Sequence, residues 1–160
     1  MSSREGGRVG TNPKAGLKAA KQAVDMSTPE EDHWYWPPEP EETVTTEFDL
    51  SYEQEGSWLV VRQEIVGHLI VDFAIMQLHN PFGRYAEDEN TCEVARIDTS
   101  HGSCHWHYMD RDGSWARWGR IPIKALYDTT THYEVNSLYP ECYERMLDGW
   151  EENLERWRAL

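Results

Sequence analysis

Cysteine is scarce in this chain, three in 160 residues, at positions 92, 104 and 142 with no CxxC pair. An odd number at such wide spacing fits neither a disulfide framework nor a thiolate zinc knuckle, so reduced thiols are expected. Basic residues are also short: 15 Lys and Arg against 29 Asp and Glu give a formal net charge of −14. This balance argues against non-specific grip on nucleic acid or on an anionic membrane, since both attract basic surfaces. A basic partner, or none, suits the bulk charge better. No apolar run reaches about 18 residues and no charged-then-apolar leader ends in small residues, so neither a membrane span nor a secretory signal is expected, and the cytosol is the expected compartment. A phosphate-cradling Gly-rich loop, a GxSxG elbow, a dinucleotide fingerprint and an HExxH metal motif are missing as well.

Aromatic residues are plentiful: 8 Trp, 8 Tyr and 3 Phe, enough with the aliphatics to furnish one sizeable core. Charge divides the chain. Residues 1–29 carry Arg4, Arg8, Lys14, Lys18 and Lys21 among Gly, Ser and Ala, and read as a disordered, weakly basic tail. A short helix from Pro13 would have a mostly alanine face, too weak to dock. Residues 30–55 hold ten carboxylates and no Lys or Arg. Within them, 30–42 is an acidic, Pro/Trp-rich linker in which "HWYWPPEPEE" should be extended and polyproline-like. Such a strip is either a solvated linker whose aromatics cap the core or a binding strip for a basic protein. Residues 43–160 then form a single domain.

Strand patterning starts at Thr43. "TVTTEFDLSYE" places Phe48, Leu50 and Tyr52 on one face and Glu47, Asp49 and Ser51 on the other. "WLVVRQEIV", "HLIVDFAIMQLH", "TCEVARID" and "CHWHYMD" supply further strands, with turns at "EGS", Gly67 and "DRDGS". After "WARWGRIPI" and a polar stretch containing His132, Tyr143, Met146, Leu147, Trp150, Leu154 and Trp157 form an amphipathic stripe. Pro140 suits the first turn of that helix, and Gly149 suggests close contact with a strand. The expected class is α+β: an antiparallel sheet of about five strands with an amphipathic C-terminal helix packed on one face, behind a disordered N-terminal tail.

The segment "RIDTSHGSCHWH" concentrates three of the seven histidines. His105 and His107 share a strand face, and what they meet depends on the turn. A two-residue His101-Gly102 turn pairs Asp98 with His105 and Arg96 with His107, bringing all four to one face. A four-residue loop keeps the parity but pairs Arg96 with His105, whereas three or five residues oppose the histidines to Ile97 and Ala95. Three readings of that face stand open. His105 and His107 are base and acid on a phosphodiester, with Arg96 holding phosphate and Asp98 orienting an imidazole. Alternatively Asp98, His101, His105 and His107 bind Zn²⁺ or Fe²⁺, with Arg96 counting against a cation. In the third, surface pairing merely stiffens the hairpin. His68 and His79 read as strand-end residues, and Cys104 points away from His105.

"VARIDTSHGSCHWHYMDRDGS" resembles a segment of small actinobacterial and phage proteins in which an Arg-x-Asp strand runs into a His-Gly turn and then His-x-His. More distantly, residues 57–110 are similar to the TumE-like toxins of toxin–antitoxin pairs, whose Asp-Asn is Asp98-Thr99 here. The resemblance implies a small cytosolic, phage-related α+β domain with a nucleic-acid-directed, ribonuclease-type role. RNA would meet Arg96, Arg84, Arg111, Arg117 and Arg120 on an otherwise acidic protein. The rival class is a non-enzymatic acidic protein that binds a basic host surface or mimics nucleic acid. No cofactor follows from the sequence.

Overall fold

The computed structural model describes residues 29–50, 56–115 and 117–160. The readings placed on the basic tail up to residue 28, on Ser51 and Tyr52 of the first strand, and on Glu53 and Glu55 of the acidic strip lie outside the described residues. Six strands follow one another: β1 (Glu42–Asp49), β2 (Ser57–Val66), β3 (Leu69–His79), β4 (Cys92–Asp98), β5 (Ser103–Tyr108) and β6 (Arg120–Ala125). Each pairs antiparallel with the next, so the sheet order is the chain order. Helix α1 (His132–Arg158) closes the chain. The class is therefore α+β as the patterning implies, with one strand more than expected.

The extra strand is β6. Its "RIPIKA" holds a proline and leaves Ile121 and Pro122 exposed, so it lacks the apolar alternation that marks a half-buried strand. Proline is tolerated there because β6 is the edge, where one side of the ladder needs no N–H donors. The helix also departs from expectation by starting earlier, at His132 rather than near Pro140. Thr131 accepts from the Glu134 N–H while the Glu134 carboxylate accepts from the Thr131 N–H, a capping box that fixes the start inside the "polar stretch". His132 thus lies on the helix rather than in a loop, and Pro140 is internal.

The face of the sheet under α1 is the core. Leu59, Phe73, Ile75 and Ile97 are completely buried there, each contributing about 1.5–3 kcal/mol by burial. Val135, Leu138, Cys142 and Met146 pack onto them from the helix, and Leu154 and Trp157 extend the contact to Val94. A buried polar latch adds direction: Gln77 Nε2 donates to the Trp150 carbonyl at 2.7 Å, and Asn153 Nδ2 donates to Gln77 Oε1 at 2.9 Å. Gly149 sits over Trp106 of β5, the close strand contact its place in the helix suggested. No helix among the described residues is long and apolar enough to cross a membrane.

The linker is partly anchored. After a short 3₁₀ turn (Glu31–His33), Trp34 bridges to Tyr127, and Tyr35 is buried with its hydroxyl donating to the Val71 carbonyl. The opposite sheet face carries Arg62, Asp72, Arg96, Asp98, His105 and His107, with no helix over it among the described residues. The candidate chemistry lies on this face.

Candidate functional site

Turn geometry decides whether the hairpin makes a site. His101 and Gly102 have φ of +54° and +71°, the left-handed pair a two-residue type I′ turn requires, and the Ser103 N–H donates to the Ser100 carbonyl at 3.3 Å. Asp98 then pairs with His105, and Arg96 with His107. Gly102 has a second reason to be glycine: a Cβ there would meet the Trp34 ring at 2.3 Å.

Asp98, His105 and His107 converge. Asp98 Oδ1 lies 3.2 Å from His105 Nε2, Asp98 Oδ2 lies 3.8 Å from His107 Nε2, and the two Nε2 atoms are 2.6 Å apart. One ligand atom from each falls within 4.8 Å of the others. His105 is fully buried, while Asp98 and His107 each keep 6% exposure.

The outer contacts determine the protons. His105 Nδ1 stands 2.9 Å from the Ser103 carbonyl and 3.0 Å from the Ser103 hydroxyl; the carbonyl can only accept, so it favours the tautomer with the hydrogen on Nδ1, which turns a lone pair inward at Nε2. Ser100 donates to Asp98 Oδ1 from its backbone N–H (3.2 Å) and its hydroxyl (2.6 Å). His107 Nδ1 is buried without a hydrogen-bond partner among the described residues, which makes His107 the less firmly oriented imidazole. The Trp115 ring lies beside it, centroids 4.8 Å apart.

Burial pushes the His105 pKa down against the pull of Asp98 and the Ser103 carbonyl. Burial also takes His107 down, to about 4, with help from His105, Arg120 and Arg96. For Asp98, burial raises the pKa, but the His105 charge and the Ser100 hydrogen bonds outweigh it and leave the carboxyl below its ordinary range. Near neutrality the cluster therefore holds one carboxylate and two neutral imidazoles. Only His107 can bring a proton inward, and it cannot serve both Asp98 and His105. With the hydrogen on His105 Nδ1, one acceptor-to-acceptor contact is left for a cation to join.

The other candidates are placed elsewhere. Arg96 lies 4.0 Å from Asp98 but gives Nε and Nη2 to Glu93 at 2.8 and 2.6 Å, so its charge is answered. His101 stays outside the cluster; its Nδ1 meets the Ser100 hydroxyl at 3.0 Å and its ring stands edge-on to Trp34. Arg84 pairs with Glu47 and Arg117 with Asp110, while Arg111 turns to the Trp157 and Arg158 carbonyls. Of the five arginines expected to meet RNA, only Arg120 is without a carboxylate or carbonyl partner among the described residues; it lies over the Trp115 ring. His132 packs near Tyr35, His79 packs on Trp157, and Cys104 faces Cys142 in the core at 3.4 Å.

Sequence reasoning missed Ser100 and Ser103 as the holders of Asp98 and His105, although both flank the turn it singled out. It also missed Glu93 as the partner of Arg96. Comparisons with family models, curated proteins and solved structures gave no match for this chain.

Proposed function

We propose that Asp98, His105 and His107 form a centre for a divalent transition metal of the Zn²⁺ or Fe²⁺ class. The observation that carries this reading is the convergence of two imidazole nitrogens and a carboxylate, with the Ser103 carbonyl favouring the His105 tautomer that points its lone pair inward. Two histidines and one carboxylate suit a borderline cation, and Nδ1 donation to a carbonyl is the usual outer support of a ligating imidazole. Neutral imidazoles and an ionised carboxylate are also the protonation states that a ligand set needs. Glu93 engages Arg96 and offsets part of the charge that it brings to the cluster.

Three protein ligands fall short of a closed tetrahedral shell. A fourth position would be left for water or a substrate atom. A metal held by Asp98, His105 and His107 would supply an activated water near neutral pH, and assisted hydrolysis is the reaction class that fits. The acid–base reading has less support. Its two imidazoles would have to flank a phosphodiester, whereas here their Nε2 atoms are 2.6 Å apart and Arg96 is engaged by Glu93.

The test is a calorimetric titration of metal-free protein with Zn²⁺, wild type beside Asp98→Asn. One ion per chain is expected, with affinity falling more than about 100-fold in the variant, since even outer-sphere losses cost 10–100-fold. No saturable binding, or equal binding by the variant, would overturn the reading.

A further inference from the structure

The sheet face opposite α1 also holds a cavity of about 360 Å³ near the β4–β5 turn, within the size range of small-ligand sites. Tyr35, Trp36 and Pro37 line it from the linker, Arg62, Glu64 and Asp72 give it a charged floor on β2 and β3, and residues 99–101 of the turn complete the lining. The floor limits what can bind. Arg62 is the one permanent cation in the lining and is gripped on both sides, by Glu64 at 2.7 Å and Asp72 at 2.8 Å. It therefore offers no net positive charge to a phosphate or carboxylate. Two carboxylates against one guanidinium leave the floor net negative, which also disfavours an apolar guest.

A cation satisfies both parts of the lining. Glu64 spends Oε1 on Arg62 and has a second oxygen for another donor. Trp36 is 66% exposed, an indole surface of the kind that attracts ammonium and guanidinium groups. Glu39, Glu41 and Glu42 follow Pro37 in the chain and are exposed, and the whole protein carries −14, so the approach is favourable for a positive ligand. The geometry points to this cavity as a binding site for an organic cation, an alkylammonium or guanidinium group. The group belongs either to a free polyamine or to a Lys or Arg side chain of a basic protein. This goes beyond the metal reading and does not depend on it.

The test is calorimetry on the full chain in EDTA, at constant ionic strength, with three probes: spermidine, agmatine and an acetylated tri-lysine amide. Two variants accompany the wild type. Trp36→Ala removes an exposed ring, and Glu64→Gln removes one charge while keeping an acceptor for Arg62. Binding should weaken about two- to fivefold in Trp36→Ala and about fivefold in Glu64→Gln. Tighter binding of the peptide assigns the site to a protein side chain, and tighter binding of spermidine or agmatine to a free amine. The proposal is overturned by the absence of heat for all three probes up to about 10 mM. It is equally overturned if affinity is unchanged in either variant, since the probes then sit on the exposed carboxylates of residues 30–42. Because the titration is free of metal, its failure leaves the Asp98 cluster untouched, and loss of Zn²⁺ binding leaves this site untouched.

Discussion

Metal-free protein should lose stability steeply as pH falls through the weakly acidic range, and His107 is the main cause. An unfolded histidine titrates near 6.5, whereas folded His107 is pushed down to about 4 by burial and by its neighbours. Below about pH 6.5 the unfolded chain takes up a proton that the folded chain refuses, so the unfolded state gains. The loss grows until pH reaches the folded value and is then complete. At 1.36 kcal/mol per pKa unit, this one group removes about 3 kcal/mol between neutrality and about pH 4. That is a large share of the 5–15 kcal/mol typical of a domain. His105 shifts in the same direction and adds to the slope. Asp98 is depressed, so its contribution is lost only as pH falls through its folded value, below the ordinary carboxylate range and outside this window. Urea unfolding in EDTA from about pH 7 to about pH 4.5, wild type beside His107→Gln, isolates the effect: the variant should show a visibly shallower slope. Stability that is flat, or that rises as pH falls, would refute the reasoning. It would mean that an imidazolium paired with Asp98 sits in the cluster.

Other consequences concern the scaffold. Gly149→Ala should raise stability by about 1 kcal/mol, because the new methyl meets Trp106 at an ordinary 3.4 Å while the helix gains alanine's propensity; thermal unfolding checks it. Gly102→Ala should do the reverse, by at least about 1–2 kcal/mol, since the left-handed backbone and the Trp34 ring both resist a Cβ; a lower urea midpoint with altered Trp fluorescence is expected. Thr131→Ala breaks the capping box and should cost about 1 kcal/mol in the same urea assay, with no change in Zn²⁺ affinity.

What the sequence made legible follows from period and parity. Alternation marked β1, runs bounded by turn signals and rich in β-branched and aromatic residues marked the strands after it, and two histidines spaced by two, opposite an aspartate across a His-Gly turn, had to share a face once the loop length was two. What stayed hidden came from departures from regularity. β6 is a wet edge strand containing Pro122, so no alternation announced it. The start of α1 was written in Thr131 and Glu134, a cap signal lying ahead of the apolar stripe. The fate of Arg96 depended on a bulge. Gln77 pairs with Ala95 but Leu78 with Glu93, so Val94 is an extra residue in β4. In a regular strand, residues 93 and 96 point to opposite faces; the bulge turns Glu93 to the side of Arg96 and removes the apparent phosphate holder. Cys104 pairs with Lys124 but His105 with Pro122, so Ile123 is likewise an extra residue in β6 beside the site.

The central claim is that Asp98, His105 and His107 act together on one cation. NMR of the histidine ring signals during addition of Zn²⁺ to metal-free protein, wild type and Asp98→Asn, tests it most directly. The account predicts that the His105 and His107 rings shift together and saturate at one equivalent, that His68 and His132 do not move, and that the variant shows no such response. Rings of His105 and His107 that ignore Zn²⁺, or that respond equally without the Asp98 carboxylate, would contradict it and leave the cluster as a structural feature of the hairpin.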